Sequence, residues 1–124
     1  MKLARLLILL GSVVMFVGAL LHIVGGSLGV FPVLAKSGVN PLVAGAVKCV
    51  WLVVSAHGVL LAPALVWISR QGQRSLLRYL ALIPAVDAVL MFHFVGLFAG
   101  FYIVLASALL LLVGAWLMPG DPSA

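Results

Sequence analysis

Charge is what this sequence has least of. Only 7% of its 124 residues are charged, and just two, Asp87 and Asp121, are acidic. A soluble domain carries about a quarter charged residues, so a soluble globular fold is excluded. Cysteine is almost absent too. Cys49 stands alone, which rules out an internal disulfide and any Cys-x-x-Cys thiol pair, and with them quinone-linked disulfide chemistry. An inert buried thiol is the expected state of Cys49. What fills the chain instead is apolar: 66% of residues are hydrophobic. The composition predicts an all-α integral membrane protein forming one domain. The net charge of +5 then reports topology rather than nucleic-acid binding.

The N-terminus imitates a signal peptide: Lys2 and Arg5, an apolar run, then Val17-Gly18-Ala19. The apolar run continues to about Leu34, so a retained first span over 4–30 is expected. Gly11, Gly18 and Gly25 recur every seven residues, with Met15, His22 and Gly29 on the same face. Small residues let helix backbones approach closely in lipid, so this face should pack inward.

Phe31 to Asn40 reads as a loop. Asn40-Pro41 reads as an N-cap with proline at the first helical position, opening a second span over 41–69. Pro63 should kink it and free the Val59 carbonyl. Arg70 to Ser75 is a polar turn, with Ser75 as the cap of the third span. Leu76 to Met118 is an apolar run of 43 residues. As one helix it would reach about 65 Å, twice the hydrocarbon thickness. It must fold back, and the glycines at 96 and 100 mark the only place to turn. Spans over 76–95 and 99–118 result, the last carrying Gly100, Ser107 and Gly114 at the same seven-residue spacing. The prediction is a four-transmembrane-helix bundle with short loops. Arg70, Arg74 and Arg78 in one turn, with Lys2 and Arg5 at the start, place that turn and both termini in the cytoplasm. A bacterial inner membrane suits such a chain.

Within the spans the polar residues are few. Each is expensive in lipid unless it faces protein or water. At about 1.5 Å per residue, Asp87 and Ser55 fall near the midplane and His22 a little outward. Lys48, His93 and Tyr102 fall further out. The second helix has two polar faces. Lys48, Trp51 and Ser55 share one side, and His57 lies opposite among Val50, Val53, Val54, Leu60, Leu61 and Ala64. Asp87 is the only acid in a span, so the sequence reading makes it the centre of a site. In that reading His22 is its acid–base partner, and Lys48, Trp51, Ser55, His93 and Tyr102 contact a ligand. Each also has a plainer reading: Lys48 snorkelling, His93 and Tyr102 anchoring at the interface, and His22 and Trp51 packing.

Four functions fit these residues. The first is binding or proton-coupled transport of a small lipophilic or ionic ligand at Asp87. In size and span count the chain is similar to the small multidrug resistance exporters, but it lacks the glutamate they carry in the first helix, so no membership follows. The second is acid–base chemistry on a lipophilic substrate, a proton shift or an epoxide opening. The third is haem b or metal ligation through His22 and His93. The fourth is a structural subunit of a membrane complex. His57 adds a separate expectation. A lipid-facing imidazole is costly, so its face should contact a second copy of the chain or another membrane subunit, unless His57 joins Asp87 inside the bundle.

Overall fold

The computed structural model describes residues 2–119 and contains, among these, only helices and turns. Helix α1 (Lys2–Gly25) passes through a π-helical turn (Gly26–Val30) into α2 (Phe31–Lys36). Helices α3 (Pro41–Gln71), α4 (Arg74–Val95) and α5 (Ala99–Trp116) complete the chain. The α1–α2 unit, α3, α4 and α5 are each long and apolar enough to cross a membrane. A helix of this kind stands at each of the four expected spans, and the last three end within two residues of their predicted limits.

The first span is the one that differs. Phe31 to Lys36 is helical rather than a loop, and the connection shrinks to residues 37–40. Proline in a helix clashes with the carbonyl four residues back, and for Pro32 that carbonyl belongs to Leu28. The helix meets this by widening to π geometry over Gly26–Val30, where Phe31 N–H bonds the Gly26 carbonyl. One added residue per turn lets the chain continue where an α-helix would stop.

Of the other punctuation, the Asn40 cap and the turns after α3 and α4 are as read, and the Ser75 cap is not. Asn40 caps α3 by accepting from Leu42 N–H at 2.9 Å, with Pro41 behind it. Pro63 sits inside an unbroken α3. Gly72 and Gly96, with positive φ of 75° and 85°, end α3 and α4, a conformation that glycine adopts without steric cost. Ser75 is not a cap: α4 begins at Arg74 after Gln73, with no side-chain cap bond.

Small residues decide which helices touch. A Cβ on Gly11 would lie 2.8 Å from Leu111 Cγ, one on Gly18 would lie 2.7 Å from Ile103, and one on Gly114 would lie 2.8 Å from Ile8. These three contacts seat α1 against α5 along its length. Ser107 Oγ adds a buried hydrogen bond to the Gly11 carbonyl at 3.0 Å. On the other flank of α1, Gly58 of α3 meets Ala19. Helix α4 packs on α5, whereas α3 and α4 meet only sparsely. The helices thus run α3, α1, α5, α4 around a ring whose weak seam is α3–α4.

The seam closes at one end only. Ala4, Ile8, Leu65, Ile68, Leu77, Ala81, Leu111 and Ala115 form the buried core, and all of them lie near the end that holds the four arginines. There Arg78 lies over the Trp116 ring, 4.1 Å from its centroid. Arg74 and Arg78 also donate to the Trp116 carbonyl at 3.4 Å. Cations at the last carbonyls of α5 complement its dipole. Towards the other end the core gives way to a cavity.

Candidate ligand-binding site

The cavity measures about 370 Å³, a size typical of small-molecule sites. Its wall is almost wholly apolar and takes residues from all four long helices. The polar exceptions are His22, Trp51, Ser55, His57, Asp87 and Ser107.

Its most ordered part is a clamp between α1 and α3. The His22 imidazole stacks on the Trp51 indole, centroids 4.0 Å apart and planes within 6°. Trp51 Nε1 donates to the His22 carbonyl at 2.8 Å. His22 Nδ1 lies 2.8 Å from Ser55 Oγ, and Ser55 in turn donates to the Trp51 carbonyl at 3.0 Å. The clamp needs Gly26, because a Cβ there would collide with the Trp51 indole nitrogen. Phe31 meets Trp51 edge-on at 6.3 Å. The π turn therefore both accommodates Pro32 and makes room for the indole.

Asp87 lines the opposite wall, half-buried on α4. It makes no ion pair or hydrogen bond with any described residue. Lys48 is not its partner: the ammonium sits 5.9 Å from the Phe31 ring centroid, behind the clamp and away from the cavity lining. The group within electrostatic reach of Asp87 is His57. His57 is exposed and also lines the cavity, which puts it at the mouth, on the α3 side of the weak seam.

The expected helix phase is sound, and the cavity nevertheless reaches His57. His57 does lie far around α3 from Ser55. The cavity, however, borders α3 over about 160° of its circumference, at about 100° per residue, from Ser55 through Trp51, Gly58, Val54 and Leu61 to His57. One flank of that arc faces α1 and the other faces the seam. Val50, Val53 and Leu60, its expected companions on the outward face, are exposed.

Of the other predicted residues, Trp51 and Ser55 join His22 and Asp87 around the cavity, whereas His93 and Tyr102 do not. His93 is exposed and packs edge-on against its neighbour Phe94. Tyr102 is 54% exposed and meets Phe101. His22 and His93, the pair required for axial haem ligation, do not share a site. Cys49 is exposed rather than buried. Among the described residues no cluster of three His, Cys, Asp or Glu side chains is placed to hold a metal ion.

Three residues that shape the site, one by seating Trp51 and two by lining the cavity, fall outside the set read from sequence. Gly26 is one, and the Gly25-Gly26 doublet six residues before Pro32 is its signal. Ser107, expected only to pack, is another. The third is Phe98, which folds against Gly100 and forms the outer wall although it lies in the predicted turn. Comparison of the chain with known protein families, with curated proteins and with solved structures finds no match.

Proposed function

We propose that the protein lies in a bilayer with its arginine end toward the cytoplasm and binds small amphiphiles that enter sideways through the α3–α4 seam. The observation that carries this reading is the cavity itself. It is apolar, sized for a small molecule, and bordered by the one helix pair that does not close, with Asp87 and His57 at that border. A molecule dissolved in the outer leaflet reaches such a site without crossing water. Its apolar body replaces lipid against Met15, Ile83 and Ile103, and its polar group meets Asp87. An unpaired acid at this depth needs a reason, and a ligand headgroup supplies one.

Binding is measured by Trp51 emission in lipid nanodiscs, in a Trp67→Phe, Trp116→Phe background. The probes share one rigid tail: 1-aminoadamantane, 1-adamantanol and adamantane-1-carboxylate. At least one is expected to shift the emission saturably. Val104→Phe, which fills the cavity, should abolish the response. Asp87→Asn should weaken the best-bound probe by about tenfold or more, the order lost with a charge-assisted contact. Absence of a saturable response to all three probes, or an unchanged response in Val104→Phe, refutes the reading.

The orientation has its own check. With Cys49→Ala removing the native thiol, Ser37→Cys lies in the turn at the open end. It should react with a membrane-impermeant maleimide added outside intact cells. Labelling only after the cytoplasmic face is opened would invert the topology.

A further inference from the structure

One placement of the protons satisfies all the hydrogen bonds around the cavity together. Ser55 has one hydroxyl hydrogen and two neighbours within reach of it, His22 Nδ1 at 2.8 Å and the Trp51 carbonyl at 3.0 Å; the carbonyl can only accept, so making both contacts at once places the hydrogen on the carbonyl side. The Ser55 oxygen can then only accept from His22, so Nδ1 carries the imidazole hydrogen and Nε2 carries the lone pair. The Trp51 N–H is used on the His22 carbonyl. The Ser107 hydrogen is used on the Gly11 carbonyl. Every donor that α1, α3 and α5 bring to the inner wall is therefore turned away from the cavity into the protein. What remains on the wall is lone pairs. His22 Nε2 has no hydrogen-bond partner among the described residues and is accessible, on a side chain that lines the cavity. Asp87 lies across from it, equally without a hydrogen-bond partner among them. His57 is the one lining side chain with an uncommitted N–H, and it stands at the mouth rather than inside.

From this inventory we infer that the cavity selects ligands by their hydrogen-bond donors, and that its ligand class is lipophilic primary or secondary amines bound as ammonium ions. Such a headgroup has two or three N–H donors and a positive charge. One N–H meets His22 Nε2 and another meets the Asp87 carboxylate, while the charge forms an ion pair with Asp87. The stacked His22–Trp51 pair adds a π-rich wall that a cation favours. A carboxylate ligand meets lone pair against lone pair at both places. A hydroxyl has one donor and satisfies only one of them. Selection here works partly by exclusion, since an acceptor-only headgroup leaves two polar groups unpaired in an apolar site. This inference rests on the binding reading above and adds the chemistry of the ligand to it.

Two measurements test it. The three adamantane probes should bind in the order amine, alcohol, carboxylate, with the amine favoured over the carboxylate by at least about tenfold in Kd. Asp87→Asn in the same lipid should shrink that ratio, and the common lipid cancels differences in partitioning. Equal affinity for all three overturns the inference while leaving the binding reading in place, since the cavity then holds tails alone. Tighter binding of the carboxylate overturns it as well. If no probe binds, both fall. Independently of any ligand, the ¹⁵N resonances of His22 should show a protonated Nδ1 and a pyridine-type Nε2. Ser55→Ala should shift that population toward the Nε2–H form and reduce the amine preference. A wild-type protein with hydrogen on Nε2 overturns the inference whatever the probes do. His22→Gln, which presents an amide of either polarity, should retain binding with the headgroup preference weakened.

Discussion

Gly114→Leu is expected to separate α1 from α5 and to cost stability at or beyond the upper end of the usual overpacking range of about 1–3 kcal/mol. The reason is that the nearest atoms are not all side chain. A Cβ at position 114 would lie 3.1 Å from both the Ala4 carbonyl oxygen and the Ile8 amide nitrogen, besides Ile8 Cγ1 at 2.8 Å. A rotamer change can move Ile8, but it cannot move the α1 backbone. Three further carbons therefore push the helices apart, with the buried Ile8, Leu111 and Ala115 beside them. In lipid no hydrophobic force draws the helices back together, because tails solvate leucine as well as a neighbouring helix does. The measurement is the thermal or denaturant midpoint in a fixed detergent, with Gly45→Leu as control. Nothing lies within 4 Å of a Cβ at Gly45, so that variant has the same added hydrophobicity without the clash. A Gly114→Leu protein as stable as the control would show that α1 and α5 do not approach this closely.

This contact is legible in the sequence, and the cavity is not, for a physical reason. Periodicity reports which residues share a face of one helix. It identifies the face of Gly11 and Gly18 on α1 and the matching one of Ser107 and Gly114 on α5, because small residues in lipid have few purposes other than close approach. The Asn40-Pro41 cap and the turn at Gly96 are legible too, since both depend on local backbone chemistry. Periodicity does not say which neighbour a face meets. Four helices can be ordered around a ring in more than one way, and only the order α3, α1, α5, α4 leaves α3 and α4 unsealed. Without that order, depth alone groups Lys48, His93 and Tyr102 with Asp87, although none of the three turns toward it. His57 is set apart for as long as a helix is expected to border the interior on one narrow face. The Trp51 bond to the His22 carbonyl is beyond pattern reading altogether. It joins a side chain to a backbone atom 29 residues away, and nothing in the alternation of residue types records such a bond.

The same clamp underlies the second large effect. Gly26→Ala is expected to dislodge Trp51, even though alanine is the better helix former by about 1 kcal/mol. The new methyl would collide with the indole nitrogen, with Cδ1 at 2.8 Å and Cε2 at 3.0 Å behind it. The indole cannot retreat and still donate to the His22 carbonyl or remain stacked at 4.0 Å on the imidazole. The hydrogen bond contributes about 0.5–1.5 kcal/mol and the ring pair a similar amount. Their loss outweighs the propensity gain, for a net destabilisation of about 1 kcal/mol. The effect on binding should be larger than the effect on stability. Once Trp51 moves, the His22 imidazole loses the ring it stacks on and is free to turn Nε2 away from the ligand. Affinity for 1-aminoadamantane is expected to fall by about tenfold, the order set by one charge-assisted contact. Gly29→Ala, in the same π turn with nothing within 4 Å of its Cβ, should change neither quantity for the worse. The decisive comparison is a double-mutant cycle for stability with Trp51→Phe, which removes the nitrogen that the methyl strikes. Two residues in contact should be non-additive, on the order of 0.5–3 kcal/mol for such pairs. Gly26→Ala should then cost little in the Trp51→Phe background. If the two changes simply add, Gly26 does not seat the indole, and the π turn exists for Pro32 alone.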